Sequence, residues 1–289
     1  MTDVLPAARR VEVDASRGEA PSPGTRGRRQ SPLGRIGGEL DVRWRIGLAI
    51  AGVAVVLVGW AVGAARVADP ALFPTPAATW RAVTTLISDG TMRSALWAST
   101  HRILVGYGLS VAIGIVGGIA IGTFPSVEAF FEAPIGFLRY IPASALTPVF
   151  LLWFGLGESP KVWLIVVGTV FFNVLMIADV ARAVPRELIN AAYTLGAGRF
   201  TVVRRVILRH SVPGIIDAAR VNLAAAWLML VVAELLAADK GLAFEIIRAQ
   251  RFRAVDTGFA LLLTFGVIGL ASDLFLRWLR NRSAPWARA

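Results

Sequence analysis

Six long stretches of this chain are predominantly apolar, each separated from the next by a segment carrying arginine, proline or glycine. They fall at about 46–66, 93–122, 127–155, 161–182, 214–238 and 257–279. A helix needs roughly 20 predominantly apolar residues to cross the hydrocarbon of a bilayer, and these runs reach or approach that length. They are continuous rather than alternating, which argues against a membrane β-barrel. A mean hydropathy of +0.64 and a hydrophobic content of 56% are too high for an ordinary soluble domain of 289 residues. The sequence predicts an all-α polytopic membrane protein with six transmembrane helices.

Charge sets the expected orientation. Residues 1–45 are rich in Arg, Pro, Gly and Ser, and a stretch such as PSPGTRGRRQSPLGR cannot bury enough apolar surface to fold. They predict a disordered cytoplasmic tail, too long and polar for a cleaved signal peptide. The net charge of +11 comes from basic residues concentrated in this tail, in segment 187–213 and at the C-terminus. Cytoplasmic loops carry an excess of Lys and Arg, so both termini and segment 187–213 are expected in the cytoplasm. Lys240, Arg248, Arg251 and Arg253 lie in an expected exterior segment and partly oppose the rule. Topogenesis accounts for the basic balance without any nucleic acid. The chain has no cysteine, and its two histidines, His101 and His210, are far apart, which argues against a metal site.

Within the spans, Gly59 and Gly63 in the first, and Gly114, Gly118 and Gly122 in the second, recur at the four-residue spacing that lets helices approach closely. Pro74 and Pro76 precede a short amphipathic segment in which Trp80 suits an interface. Arg102, near the outer end of the second span, reads as a snorkelling interface anchor. Pro134, Pro142 and Pro148 predict a third span broken at RYIP, because each removes a backbone donor and disfavours helix just before it. In a membrane such a break is tolerated where it is buried in protein or lines a wet cavity. A pathway wall and a merely kinked packing helix both fit. Pro142, Thr147, Asn222 and Glu234 are the candidate path residues. Asp179, at the cytoplasmic end of the fourth span, is expected to pair with Arg182 or another local arginine.

No GxxxxGK[ST] loop, HExxH, Cys/His zinc pattern or GxSxG elbow occurs, so the chain offers no ATP site and no catalytic constellation. Uphill transport would need energy from a partner or from an ion gradient, with Glu234 or Asp179 as a proton site in the second case. Segment 187–213 bears on the first case. It predicts two short helices, 187–196 and 199–208, joined at Gly196 and Gly198. Phe200, Val203 and Ile207 share one face of the second, flanked by Arg199, Arg204, Arg205 and Arg209. The pattern fits a groove on a soluble partner and equally an anionic lipid surface.

NAAYTLGAGRFTVVRRVIL with the later Pro213 resembles the EAA loop of type I ABC importer permeases. Asn190 stands in place of the first acid, Ala191 and Ala192 match, Gly196 falls on the glycine, and Val206 and Leu208 match the later apolar positions. Arg209 replaces the first proline. LFPTP, FLRYIPASALTPVFLLWFGLGES and WLMLVVAELLAADKGLAFEI are similar to the nitrate/sulfonate/taurine subgroup, and the resemblance covers roughly 72–280. It implies a core at 93–279 and a multi-pass subunit of the bacterial cytoplasmic membrane that imports a small anion. It implies a second permease copy, two cytoplasmic ATPase subunits holding ATP and Mg, and an extracytoplasmic solute-binding protein. This chain would then bind no cofactor. Asn190, Ala191, Ala192, Gly196, Arg199, Phe200, Val203 and Leu208 would form the coupling contacts.

Overall fold

The computed structural model describes residues 41–67 and 69–283, apart from the side chains of residues 236 and 237, and every regular element among them is helical. Most of the expected tail therefore lies outside the described residues. The structure has two compact units, one ending at Val56 and one starting at Leu57. The first helix, α1 (Val42–Val67), starts earlier than its apolar run and exposes Val53, Val55 and Val56, as a lipid-facing helix would. Among the described residues its expected tight-packing face meets no other helix: nothing lies within 4 Å of a side chain placed at Gly59, and Gly63 meets only the Phe73 ring. The Trp60 indole instead donates to the Pro74 carbonyl at 2.9 Å.

Helix α2 (Pro76–Ser88) begins as its sequence dictates. Thr75 is extended and its hydroxyl accepts from the Ala78 N–H at 3.2 Å, while Pro76 occupies the first turn, where its missing N–H costs nothing. Thr79, Ala82 and Leu86 face inward and Trp80 is exposed.

Helices α3 (Thr91–Thr123) and α6 (Ser159–Arg182) form the most extensive contact in the chain. The glycine repeat creates it. A Cβ on Gly118 would lie 2.7 Å from both the Ile177 Cβ and the Val174 carbonyl oxygen. Without a hydrophobic force between helices in lipid, this close approach supplies packing that larger residues would prevent.

Between them, α4 (Pro125–Leu138) and the segment made of a 3-10 turn (Ala143–Leu146) and α5 (Thr147–Phe154) meet at 80°. The break falls at residues 139–142, where Pro142 was expected to place it. Phe150 of α5 packs with Leu164 of α6 and with Ala233.

After α6 come α7 (Arg186–Thr194), the single turn α8 (Arg199–Thr201), a π-helical segment (Val202–Ile207) and α9 (Leu208–Ala237). The last three run on as one membrane-length helix, Arg199–Leu235. The expected second short helix is therefore the start of the fifth span, which does not begin at 214. Pro213 fails to break it because the carbonyl it strands belongs to Arg209, an exposed residue whose backbone water can serve. The wide π turn also redirects the apolar stripe. Val202 and Ile207, five apart, are both buried, whereas Phe200 points outward.

Helix α10 (Leu242–Arg251) and α11 (Val255–Ser283) complete the fold. Among the described residues, five helices are long and apolar enough to cross a membrane, and the bent pair, taken as one span, makes a sixth. Ile119, Ile177, Val202, Ile207 and Ile215 close the core at the end bearing the α6–α9 loop. Leu86, Met92, Leu242 and Leu261 close it at the other end.

Candidate functional site

At the loop end, α7 stops in a Schellman motif. Gly196 has φ +80°, its N–H donates to the Tyr193 carbonyl at 2.9 Å, and the Ala197 N–H reaches back to the Ala192 carbonyl at 3.0 Å. Those bonds satisfy orphan carbonyls of the last turn and demand a left-handed residue, which is why glycine stands there. The eight candidate coupling residues then divide by exposure. Asn190, Ala191, Arg199 and Phe200 are exposed, Ala192, Val203 and Leu208 are half-buried against the core, and Gly196 sets the turn. Leu188 and Leu195, which the sequence did not single out, join Phe200 as outward apolar side chains. Leu188, Ala191, Leu195, Arg205, Val206 and Arg209 line a groove of about 550 Å³ between α7 and the start of the long helix.

Asp179 lies 2.5 Å from Arg182, as expected, and Arg182 also reaches Glu128 at 2.9 Å. The second pair ties the end of α6 to α4.

At the opposite end the structure overturns the reading of Arg102. It is 2% exposed rather than an interface anchor. Its guanidinium donates two bonds to Glu158, at 2.6 and 2.7 Å, and one each to Glu234 at 2.8 Å and to the Lys240 carbonyl at 2.6 Å. Glu234 also accepts from the Ser99 hydroxyl at 2.6 Å and from the Ala243 N–H at 2.9 Å, and Lys161 reaches Glu158 at 2.9 Å. Two cations face two carboxylates, so the group carries no net charge. Burial of charge is tolerated when the partners are this fully bonded. The Glu158 carboxyl lies outside the spans, and the Arg102 hydrogen bonds lower it to a pKa of about 2 against the opposing effect of burial. The network joins α3, the start of α6, the end of α9 and the start of α10. The missed members are Ser99, Glu158 and Lys161. An acid and a lysine three residues apart at the start of a span was the available signal.

Between the two ends runs a polar seam. The Thr169 hydroxyl donates to Ser110 Oγ at 2.7 Å, Asn173 Nδ2 to the same oxygen at 2.9 Å, and Asn222 Nδ2 to Asn173 Oδ1 at 2.9 Å. The Tyr107 hydroxyl donates to the Ala219 carbonyl. Asn222 therefore sits inside the packed interface of α3, α6 and α9. The other candidate path residues are not brought together with it. Pro142 is exposed at the break, Thr147 is buried with its hydroxyl on the Ser144 carbonyl at 2.7 Å, and Glu234 belongs to the far-end network. Among the described residues no group of three or more His, Cys, Asp or Glu side chains could hold a metal ion.

A family profile described as binding-protein-dependent transport system inner membrane component matches residues 110–285. The taurine transport system permease protein TauC of Escherichia coli (strain K12) is 34% identical over 258 residues, covering 86% of this chain and 94% of that protein. A putative aliphatic sulfonates transport permease protein, SsuC of Bacillus subtilis (strain 168), is 30% identical over 243 residues, covering 84% and 88%. Among solved structures, an inward-facing conformation of the MetNI methionine ABC transporter matches with a TM-score of 0.57 and 19% identity, covering 67% of this chain and 95% of that one. The last likeness concerns the fold alone. The chain belongs to the binding-protein-dependent transport system inner membrane component family and is a permease subunit of an ABC importer.

Proposed function

We propose that this permease carries a small sulfonate-like anion into the cell, driven by two ATPase subunits that grip the α7 loop. The observation that carries the reading is the loop itself: Leu188, Leu195 and Phe200 are outward-facing on a backbone fixed by the Gly196 motif, with arginines beside them. An exposed apolar patch with cationic edges matches the chemistry of a protein groove. On this reading ATP and Mg reside in the ATPase and the chain binds no cofactor. Both termini and α7 face the cytoplasm, and an extracytoplasmic binding protein delivers solute to the end holding Arg102. A second copy of the chain supplies the other wall of the path, because the break at Pro142 lies open on the surface of a single chain. Thr147, Asn222 and Glu234 then shape that wall from behind, through the helices they fix. The names of the relatives support taurine or an aliphatic sulfonate as the solute class.

The experiment is uptake into proteoliposomes holding the permease, its ATPase and its binding protein, with internal ATP. ATP-dependent uptake competed by taurine or alkanesulfonates is expected. Phe200→Ser with Leu195→Ser should leave membrane insertion intact while abolishing solute-stimulated ATP hydrolysis. Uptake that persists without ATP and collapses with the proton gradient would replace this reading with an ion-coupled one centred on Glu234 or Asp179. Crosslinks from positions 195–205 to lipid alone would remove the coupling role.

A further inference from the structure

A second concave feature lies on the other side of α7 from the groove lined by Leu188 and Leu195. It is a cavity of about 480 Å³ bounded by the ends of α3 and α6, the start of α4, α7 and the first turns of the long helix. That volume falls within the range of small-ligand pockets. Its chemistry is lopsided. Arg182, Arg186 and Arg199 all line it, from three separate elements, against the single carboxylate of Glu128. Glu128 is already engaged with Arg182 at 2.9 Å. Arg186 and Arg199 make no ion pair among the described residues.

Two further observations favour an anion at this wall. The Thr123 hydroxyl, which also lines the cavity, is buried without a hydrogen-bond partner. A buried hydroxyl left unmade costs free energy unless something enters to meet it. Three helices also begin at this wall, α4 after Phe124, α7 after Pro185 and the long helix after Gly198, and none has a side-chain cap. Their first N–H groups add positive potential where the guanidinium groups already supply it.

We infer that this cavity binds a phosphate-bearing anion, held by Arg186 and Arg199 and met by the Thr123 hydroxyl once its side chain rotates toward the cavity. Guanidinium groups on two elements can each take two oxygens of a phosphate, which would brace α7 against the long helix. With the loop in the cytoplasm, as proposed above, the cavity lies at headgroup depth in the inner leaflet. An anionic phospholipid and a soluble phosphate ester are the two sources of that chemistry.

The test uses the assembled full-length transporter, purified in mild detergent and depleted of lipid. Native mass spectrometry reads retention of added phosphatidylglycerol against phosphatidylcholine. We expect a preference of about tenfold or more for phosphatidylglycerol, lost in Arg186→Gln/Arg199→Gln and kept in Arg204→Gln/Arg205→Gln, whose charges lie outside the cavity. Thr123→Val should weaken retention while leaving the fold intact. Calorimetric titration with sn-glycerol 3-phosphate separates the sources: binding of the ester marks a soluble anion, and retention of the lipid without it marks a headgroup. Equal retention by both double variants, or binding of neither probe, would overturn the site. The readout needs no ATP, solute or binding protein, so a failed import assay leaves it standing.

Discussion

Arg102 Nη1 lies 2.8 Å from Glu234 Oε1, with the two residues 132 positions apart in the chain and their side chains 2% and 0% exposed. A buried pair of this kind gains little over a well-packed apolar pair, but removing one member leaves a buried charge with no countercharge. Arg102→Leu strands Glu234 in that way and should cost about 3–5 kcal/mol. Glu158→Gln should cost much less, because the Glu158 side chain is 52% exposed and stays within reach of water. Arg102→Lys should behave like Leu more than like Arg, since an ammonium lacks the fork that serves two carboxylates at once. Thermal unfolding of the detergent-solubilised protein checks the order. Equal midpoints for Arg102→Leu and Glu158→Gln would mean that the network is not what holds this end together.

Gly241 and Gly196 both occupy positive φ, at +140° and +80°, yet they should respond differently to substitution. A Cβ on Gly241 would overlap the Glu234 carboxyl group, which Ser99, Arg102 and Ala243 hold in place. Nothing lies within 4 Å of a Cβ at Gly196. Gly196→Ala should therefore cost only the left-handed strain of about 1–2 kcal/mol, and Gly196→Asn less. Gly241→Ala and Gly241→Asn should both open the network and release α10. Limited proteolysis between residues 238 and 254 is the measurement, with increased cleavage expected only for the Gly241 variants.

The pH response follows from Glu158. Its carboxyl is lowered from 4.5 to about 2, first by the Arg102 hydrogen bonds. A depressed carboxylate contributes stability that is present above its unfolded pKa and is lost as pH falls toward the folded one. The unfolding midpoint of the wild type should therefore exceed that of Glu158→Gln by a constant margin from pH 5 to 8. The margin should shrink below about pH 4.5 and close as pH approaches about 2. A margin that grew on acidification would contradict the assignment of the shift to Arg102.

Local chemistry carried most of the architecture, and long-range partners carried the rest. The break at RYIP, the cap at Thr75 and the turn at Gly196 are legible because each is decided by residues within a few positions. The glycine repeat of α3 announced a tight helix contact, though not that α6 would provide it. The similar pair Gly59 and Gly63 announced a helix contact that the described residues do not make. Arg102 could not be read correctly from its surroundings. An arginine near the end of an apolar run looks the same whether it snorkels or meets acids 56 and 132 positions away. Pro213 lies inside the long helix without ending it, and the residue four positions before it, Arg209, is exposed. Segment 187–213 was recognisable as a loop pattern, whereas the outward placement of Leu195 and Phe200 was not, since the apolar stripe grouped Phe200 with the buried Ile207.

The contact between α3 and α6 yields the most direct test of how the helices are packed. A Cβ on Gly118 would lie 2.7 Å from the Val174 carbonyl oxygen, a backbone atom that no rotamer change can move. Gly108, on the same helix, has nothing within 4 Å. Gly118→Ala should therefore lose about 1–3 kcal/mol by overpacking, while Gly108→Ala should be neutral or gain up to about 1 kcal/mol from helix propensity. Gly117→Ala, whose Cβ would meet Val174 Cγ2 at an ordinary 3.4 Å, belongs with Gly108. Unfolding midpoints in one detergent, measured on all three variants, check the ranking. If Gly118→Ala proved as stable as Gly108→Ala, α3 and α6 would have to sit farther apart in the membrane, and the polar seam of Ser110, Thr169 and Asn173 could not close across them.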